Sequence, residues 1–232
     1  MKKITVFLAF LAISLGYAKA QTRFFNVSPV TIQSPVDVPL HEVRAVWLTT
    51  IGGLDWPHSY AQSGAAITRQ QNELRTTLDR LQKAGINLVF IQTRVRATTI
   101  FPSSMEPWDG CLSGKPGTSP GYDALAFAIE ECHRRGIELH AWVVTIPAYK
   151  TTLARQMGKR GVAQSHASLC KRHADMYYLD PGIPASGDYL TSICHEIVSR
   201  YDVDGIHFDY IRYPENASSF PDADTYRKYG KG

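Results

Sequence analysis

The 232-residue chain lacks most of the short signatures that tie a sequence to one chemistry. No H-E-x-x-H, C-x-x-C or EF-hand spacing occurs, so no metal is expected; no P-loop or dinucleotide glycine pattern occurs either, so no cofactor is called for. A G-x-S-x-G elbow is missing, which leaves serine-hydrolase chemistry little support. The net charge is only +4 and the basic residues are scattered, so nucleic acid is not a suggested partner. Cysteine is scarce, with four residues. Cys132 and Cys194 fall on apolar helical faces and read as buried, whereas Cys111 and Cys170 fall in loops and are candidates for a bridge in an oxidising compartment. Long hydrophobic runs are also lacking. The run from Ile4 to Tyr17 is too short to cross a bilayer comfortably. With Met1-Lys2-Lys3 before it and Ala18-Lys19-Ala20 after it, residues 1–20 have the layout of a secretory signal cut before Gln21. The expectation is an exported protein, periplasmic, cell-surface or extracellular, with no stable membrane span after cleavage.

What is present is an alternating pattern. After an extended, Pro-rich lead-in over residues 21–40, β-rich runs occupy Val43–Thr50, Ile86–Arg96, Ile137–Thr145 and Val203–Ile211. Between them, Leu74, Leu78 and Leu81 mark one helical face, Leu125, Ile129 and Cys132 a second, and Leu190, Ile193, Ile197 and Val198 a third. Gly85 and Gly136 stand where helices end, just before the following strand. Strand–helix alternation predicts parallel strands with right-handed crossovers, an α/β protein. Helix-to-strand connections are short, while strand-to-helix loops are long, about 51–68, 97–121 and 146–187. Those long loops all lie at the carboxyl ends of the strands, the face that carries the site in α/β sheets and barrels.

The last run, DGIHFDYIRYP (Asp204–Pro214), contains a carboxylate where burial would be costly, so Asp209 is paired, hydrated or used. Side chains alternate across a strand, which puts Gly205, His207, Asp209 and Ile211 on one face and Ile206, Phe208 and Tyr210 on the other, the latter expected to pack under helices. The same parity joins Gln92 to Arg94 and His140 to Trp142. Each of these polar residues is explained singly by a satisfied core group. Their convergence with His207 and Asp209 is better explained by a polar pocket. Aromatics gather in the long loops, at Trp56, Tyr60, Phe101, Trp108, Tyr149, Tyr177, Tyr178 and Tyr213. Such rings suit the apolar faces of sugars, though loops also fold over their own aromatics.

Five spaced segments carry a resemblance: EVRAVWLTTIGGLDWP (Glu42–Pro57), Gln92-Thr93-Arg94 followed by FPSSMEPW (Phe101–Trp108), ELHAW (Glu138–Trp142), YLDPG (Tyr178–Gly182) and DGIHFDYIRYP. In this order they resemble the bacterial glycosyl-hydrolase-like family ten, over residues 41–232. The resemblance implies a (β/α) TIM-barrel-type domain, of which this chain would hold the first four strand–helix units, a truncated barrel. It implies glycoside hydrolysis of a bacterial polysaccharide or cell-wall glycan, with Asp209 as the catalytic carboxylate and the general acid on a later strand. The expected substrate-binding set is Trp56, Gln92, Arg94, Trp108, His140, Trp142, His207, Tyr210, Arg212 and Tyr213. The segment VVTIPAY departs from the family, in which Asn-Pro-Tyr-Arg is frequent there. Two other readings stay open: a non-catalytic carbohydrate-binding relative, and a metal-assisted hydrolase built on His140, His207 and Asp209.

Overall fold

The structure is a computed structural model that describes residues 42–230; the expected signal and lead-in segments lie outside the described residues. Four strands, β1 (Ala45–Leu48), β2 (Leu88–Arg94), β3 (Glu138–Val144) and β7 (Gly205–Asp209), form one parallel sheet in the order β1-β2-β3-β7. All four expected β-rich runs are therefore strands, each shorter at its ends than the apolar pattern suggests. The α/β class follows directly from that parallel order.

Helices α1 (Gly64–Lys83), α2 (Ala124–His133) and α3 (Pro184–Arg200) connect the strands. Ser63 starts α1 by accepting the Ala66 N–H, and Asp123 starts α2 by accepting the Ala126 N–H, each satisfying a donor that the first turn leaves free. Pro184 opens α3, where a missing N–H costs nothing. Gly85 at φ 76° and Gly136 at φ 67° let the chain reverse after α1 and α2 in a left-handed conformation that a side chain disfavours. The sheet and helices enclose one core. Leu74, Leu78, Leu125, Ile193 and Ile197 are buried in it, each burial contributing roughly 1.5–3 kcal/mol.

The stretch expected as the loop 146–187 holds more order than that. Strands β4 (Pro147–Lys150), β5 (Cys170–His173) and β6 (Met176–Leu179) make a separate antiparallel sheet in the order β4-β6-β5. A short helix, α4 (Ala223–Tyr229), follows β7, and the Thr225 hydroxyl donates to the buried Asp180 carboxylate at 2.6 Å. Two expectations need correction. All four cysteines are free thiols. Cys111 lies buried in a single helical turn capped by Asp109, while Cys170 opens β5 in the second sheet, so the two are held by different elements. Nor do helices cover the whole outer face of β7: Ile206 packs on the core, but Phe208 is 50% and Tyr210 39% exposed.

Candidate functional site

Strand register assembles the inner face of the sheet. Trp47, Phe90, His140 and Gly205 stand level across the four strands, and Gln92, Trp142 and His207 form the next row toward the carboxyl end. The Trp47 and Phe90 rings stack at 4.8 Å between centroids, and the His207 ring leans on Phe90 at 4.6 Å. Trp47 Nε1 donates to His207 Nε2 at 3.1 Å, so that nitrogen carries the lone pair and Nδ1 the proton. Gly205 is required at its place: a Cβ there would lie 2.7 Å from the His140 ring atoms. The glycine makes room for the imidazole beside it.

Asp209 ends β7 at the carboxyl edge of the sheet and is half-buried. Its Oδ2 accepts from Trp142 Nε1 at 3.0 Å, and its Oδ1 accepts the Tyr210 N–H at 2.6 Å. Its carbonyl oxygen accepts twice from Thr145, from the backbone N–H at 2.9 Å and from the hydroxyl at 2.8 Å. No cation pairs with the carboxylate among the described residues, and its two oxygens are held by N–H donors alone. The next residue, Tyr210, has φ 53°, a strained position for a side chain of its size. That twist turns the chain into a cleft of about 150 Å³ where Tyr210, Arg212 and Tyr213 meet Tyr178 of β6 and Arg96. Arg212 lies over the Tyr210 ring, 4.9 Å from its centroid. The Tyr213 hydroxyl is pushed up to about 12 by its hydrogen bond to Asp222 and by burial. Burial also raises the Tyr178 hydroxyl, an effect that Arg96 and Arg212 oppose.

The structure brings together Asp209, Trp142, His207 and His140 on the inner face, and Tyr210, Arg212 and Tyr213 at the mouth. It places the other expected residues elsewhere. Trp56 is fully buried and donates to the Gln70 carbonyl, so it is a core residue. The Gln92 side-chain oxygen accepts the N–H groups of Thr50 and Ile51, which ties down the chain leaving β1. Trp108 is half-buried against the core at a bridge to Thr99. Arg94 is wholly buried, in a two-bond pair with Glu106 (2.8 and 2.7 Å) that also holds the Tyr189 hydroxyl of α3. Burial works against the Arg94 charge, yet the Glu106 carboxylate outweighs it and holds the guanidinium above its ordinary value. The parity expected for Gln92 and Arg94 fails because the β2–β3 register shifts between these two residues.

Trp47, Phe90 and Arg96 escaped the sequence reading. The first two were within its reach, since they share the inward parity of the strand patterns once neighbouring registers are aligned. Arg96 follows the register shift, where parity no longer applies. Among the described residues no three or more His, Cys, Asp or Glu side chains group as a metal set, and no helix is long and apolar enough to cross a membrane.

A parallel α/β sheet with a carboxylate, imidazoles and aromatic rings at its carboxyl end has the layout in which α/β proteins take their ligands at the strand ends. Its sequence makes the class narrower. Residues 42–232 match the family described as glycosyl hydrolase-like 10, and the chain belongs to that family. Glycosyl hydrolase DigH of Escherichia coli (strain K12) is 37% identical over 254 aligned positions, covering 99% of this chain and 57% of that protein. Glycosyl hydrolase YngK of Bacillus subtilis (strain 168) is 35% identical over 196 positions, covering 82% of this chain and 37% of that protein. The chain thus spans about half the length of these relatives. A hypothetical protein from Ruminiclostridium thermocellum ATCC 27405 shares the fold at TM-score 0.50 and 15% identity, over 79% of this chain and 88% of that one.

Proposed function

We propose that this chain carries the sugar-cleaving face of an exported glycoside hydrolase acting on a bacterial polysaccharide or cell-wall glycan, with Asp209 as its catalytic carboxylate. The reading is supported by family membership, and one observation carries it: a half-buried carboxylate, free of any cation, stands at the carboxyl end of β7 beside Trp142. Trp142 Nε1 and the Tyr210 N–H hold its two oxygens in place, as an attack on an anomeric carbon or the activation of water requires. Glycoside cleavage generally uses a second carboxyl group. Glu215 lines the Tyr210 cleft, but it is 85% exposed at its side chain and 3.5 Å from Arg212, a poor setting for a general acid, which we place on a later strand of a complete (β/α) barrel. The four-stranded sheet is then the first half of that barrel.

The test is the release of reducing ends from purified bacterial glycan strands by the protein expressed from the complete reading frame. Asp209→Asn should lower turnover at least about 10²-fold. The amide keeps one acceptor oxygen for the two N–H groups that the carboxylate accepts, so the thermal midpoint should fall modestly while the variant still unfolds cooperatively. Unchanged turnover would sink the assignment. Glycan binding without turnover in the parent protein would favour the carbohydrate-binding reading.

A further inference from the structure

Four described arginines are half-buried or deeper: Arg75, Arg94, Arg96 and Arg135. Three of them hold a carboxylate, Arg75 that of Glu131, Arg94 that of Glu106, and Arg135 those of Glu131 and Asp79. Arg96 makes neither an ion pair nor a side-chain hydrogen bond among the described residues. An arginine held half-buried in a cleft with no protein acceptor leaves its guanidinium fork open to a ligand.

Its position says what that could be. Arg96 follows β2 at the carboxyl edge and stands on the wall between two clefts, the one of about 150 Å³ holding Tyr210 and Tyr213, and one of about 300 Å³ lined by Tyr60, Tyr149 and Lys150. In each cleft two cations face one carboxylate: Arg96 and Arg212 against Glu215 in the first, Arg96 and Lys150 against Asp109 in the second. Both carboxylates are already engaged. Glu215 lies 3.5 Å from Arg212, and Asp109 accepts from the Thr98 hydroxyl and the Cys111 N–H. Lys150 is itself met by Asp175 at 3.5 Å, and Asp109, held only by neutral donors, still faces Arg96 in the second cleft. It is in the first cleft, where Arg212 takes Glu215, that Arg96 adds a positive charge with no carboxylate of its own, among tyrosine rings suited to sugar faces.

We propose that Arg96 is a specificity residue that binds a carboxylate carried by the glycan, so that the substrate class is an acidic, carboxylate-bearing polysaccharide. This rests on the carbohydrate reading of the same face. The planar guanidinium matches a carboxylate with two parallel N–H···O bonds, a geometry that a neutral hydroxymethyl group cannot reproduce. Arg96 fixes which sugar sits at the wall and takes no part in bond cleavage.

The experiment is calorimetric titration of the chain with two probes: a tetrasaccharide of alternating glucuronic acid and N-acetylglucosamine, and the same tetrasaccharide with each carboxylate reduced to a primary alcohol. The native chain should bind the acidic probe at least tenfold more tightly, with the preference shrinking as salt rises. Arg96→Gln should bring the two affinities together without lowering the melting midpoint, and Arg96→Lys should keep part of the preference. Equal binding of both probes by the native chain, or a preference that survives Arg96→Gln, overturns the role of Arg96 and leaves the carbohydrate reading standing. Binding of neither probe overturns the role of Arg96, while the release of reducing ends from bacterial glycan strands decides the carbohydrate reading separately.

Discussion

At the scale of single residues the site is shaped by what is small as much as by what is charged. Gly205 sits level with Trp47, Phe90 and His140, and the missing side chain is the space that the His140 ring fills. Gly205→Ala would put a methyl group 2.7 Å from the imidazole atoms, closer than real contacts allow. The ring has Phe90 on one side, 5.4 Å away between centroids, so it cannot yield without disturbing the row. The expected cost is about 1–3 kcal/mol of folding stability, the usual price of overpacking, read as a lower urea midpoint with an unchanged slope. The histidine ring signals should shift as well. A substitution without effect on either would mean that the inner row is loose and does not hold His207 in register beneath Asp209.

Elements are tied to one another by buried charge as well as by apolar packing. Glu196 of α3 is buried and accepts from the Ser103 hydroxyl and from both the N–H and the hydroxyl of Ser104, in the loop after β2, with Arg200 3.1 Å away. Burial pushes this carboxyl up, but the serine bonds and the Arg200 charge outweigh burial and hold it below the usual glutamate range. A carboxyl whose folded value lies below its unfolded one stabilises the fold above the unfolded value, about 4.3, and that stabilisation disappears as pH falls through the folded value. Glu196→Gln should thus cost about 1.5–3 kcal/mol at pH 7, and the gap between variant and parent should close as urea titrations move into the acid limb. A gap independent of pH would assign the loss to packing instead.

The same elements explain what was legible in the sequence. Four parallel strands, three of them preceded by a described helix and two of those helices ending at Gly85 or Gly136, leave a strong periodic trace, and the position of Asp209 at the end of β7 followed from that pattern. Parity failed at Arg94, because a register shift in β2 exchanges the two faces and sends the guanidinium to Glu106. Nothing local marks that shift. The β4-β6-β5 sheet was missed for a related reason: its strands have four residues each, too short a run for alternation to register, and β4 finds its partner β6 only across a long stretch of chain. Trp56 and Gln92 look like ligand residues in the sequence and become structural only once the Gln70 carbonyl is seen to accept from Trp56 and the Thr50 N–H to donate to Gln92.

For the molecule as a whole, the described sheet ends in two edges, β1 and β7, each with one row of backbone groups that no described strand pairs. Unpaired edges invite further strands, whether from a longer chain or from a second copy. The β7 side adds an apolar cleft of about 340 Å³, where Phe208 and Ile211 face Leu190 and Cys194 of α3 and Ile146. Phe208 is 50% and Ile211 68% exposed, so apolar side chains face water beside the open edge. Residues 1–232 on their own should accordingly self-associate over the ~μM to mM range, seen as concentration-dependent sedimentation coefficients. Phe208→Lys with Ile211→Lys places charge beside the edge and should shift the population to monomer without lowering the unfolding midpoint, because neither side chain is part of the buried core. Under the proposed barrel, further strands that cover the edge should abolish association in the same way while leaving both residues apolar. If the unmodified chain sediments as a monomer throughout that range, the β7 edge is closed by something other than a fifth parallel strand, and the half-barrel reading fails.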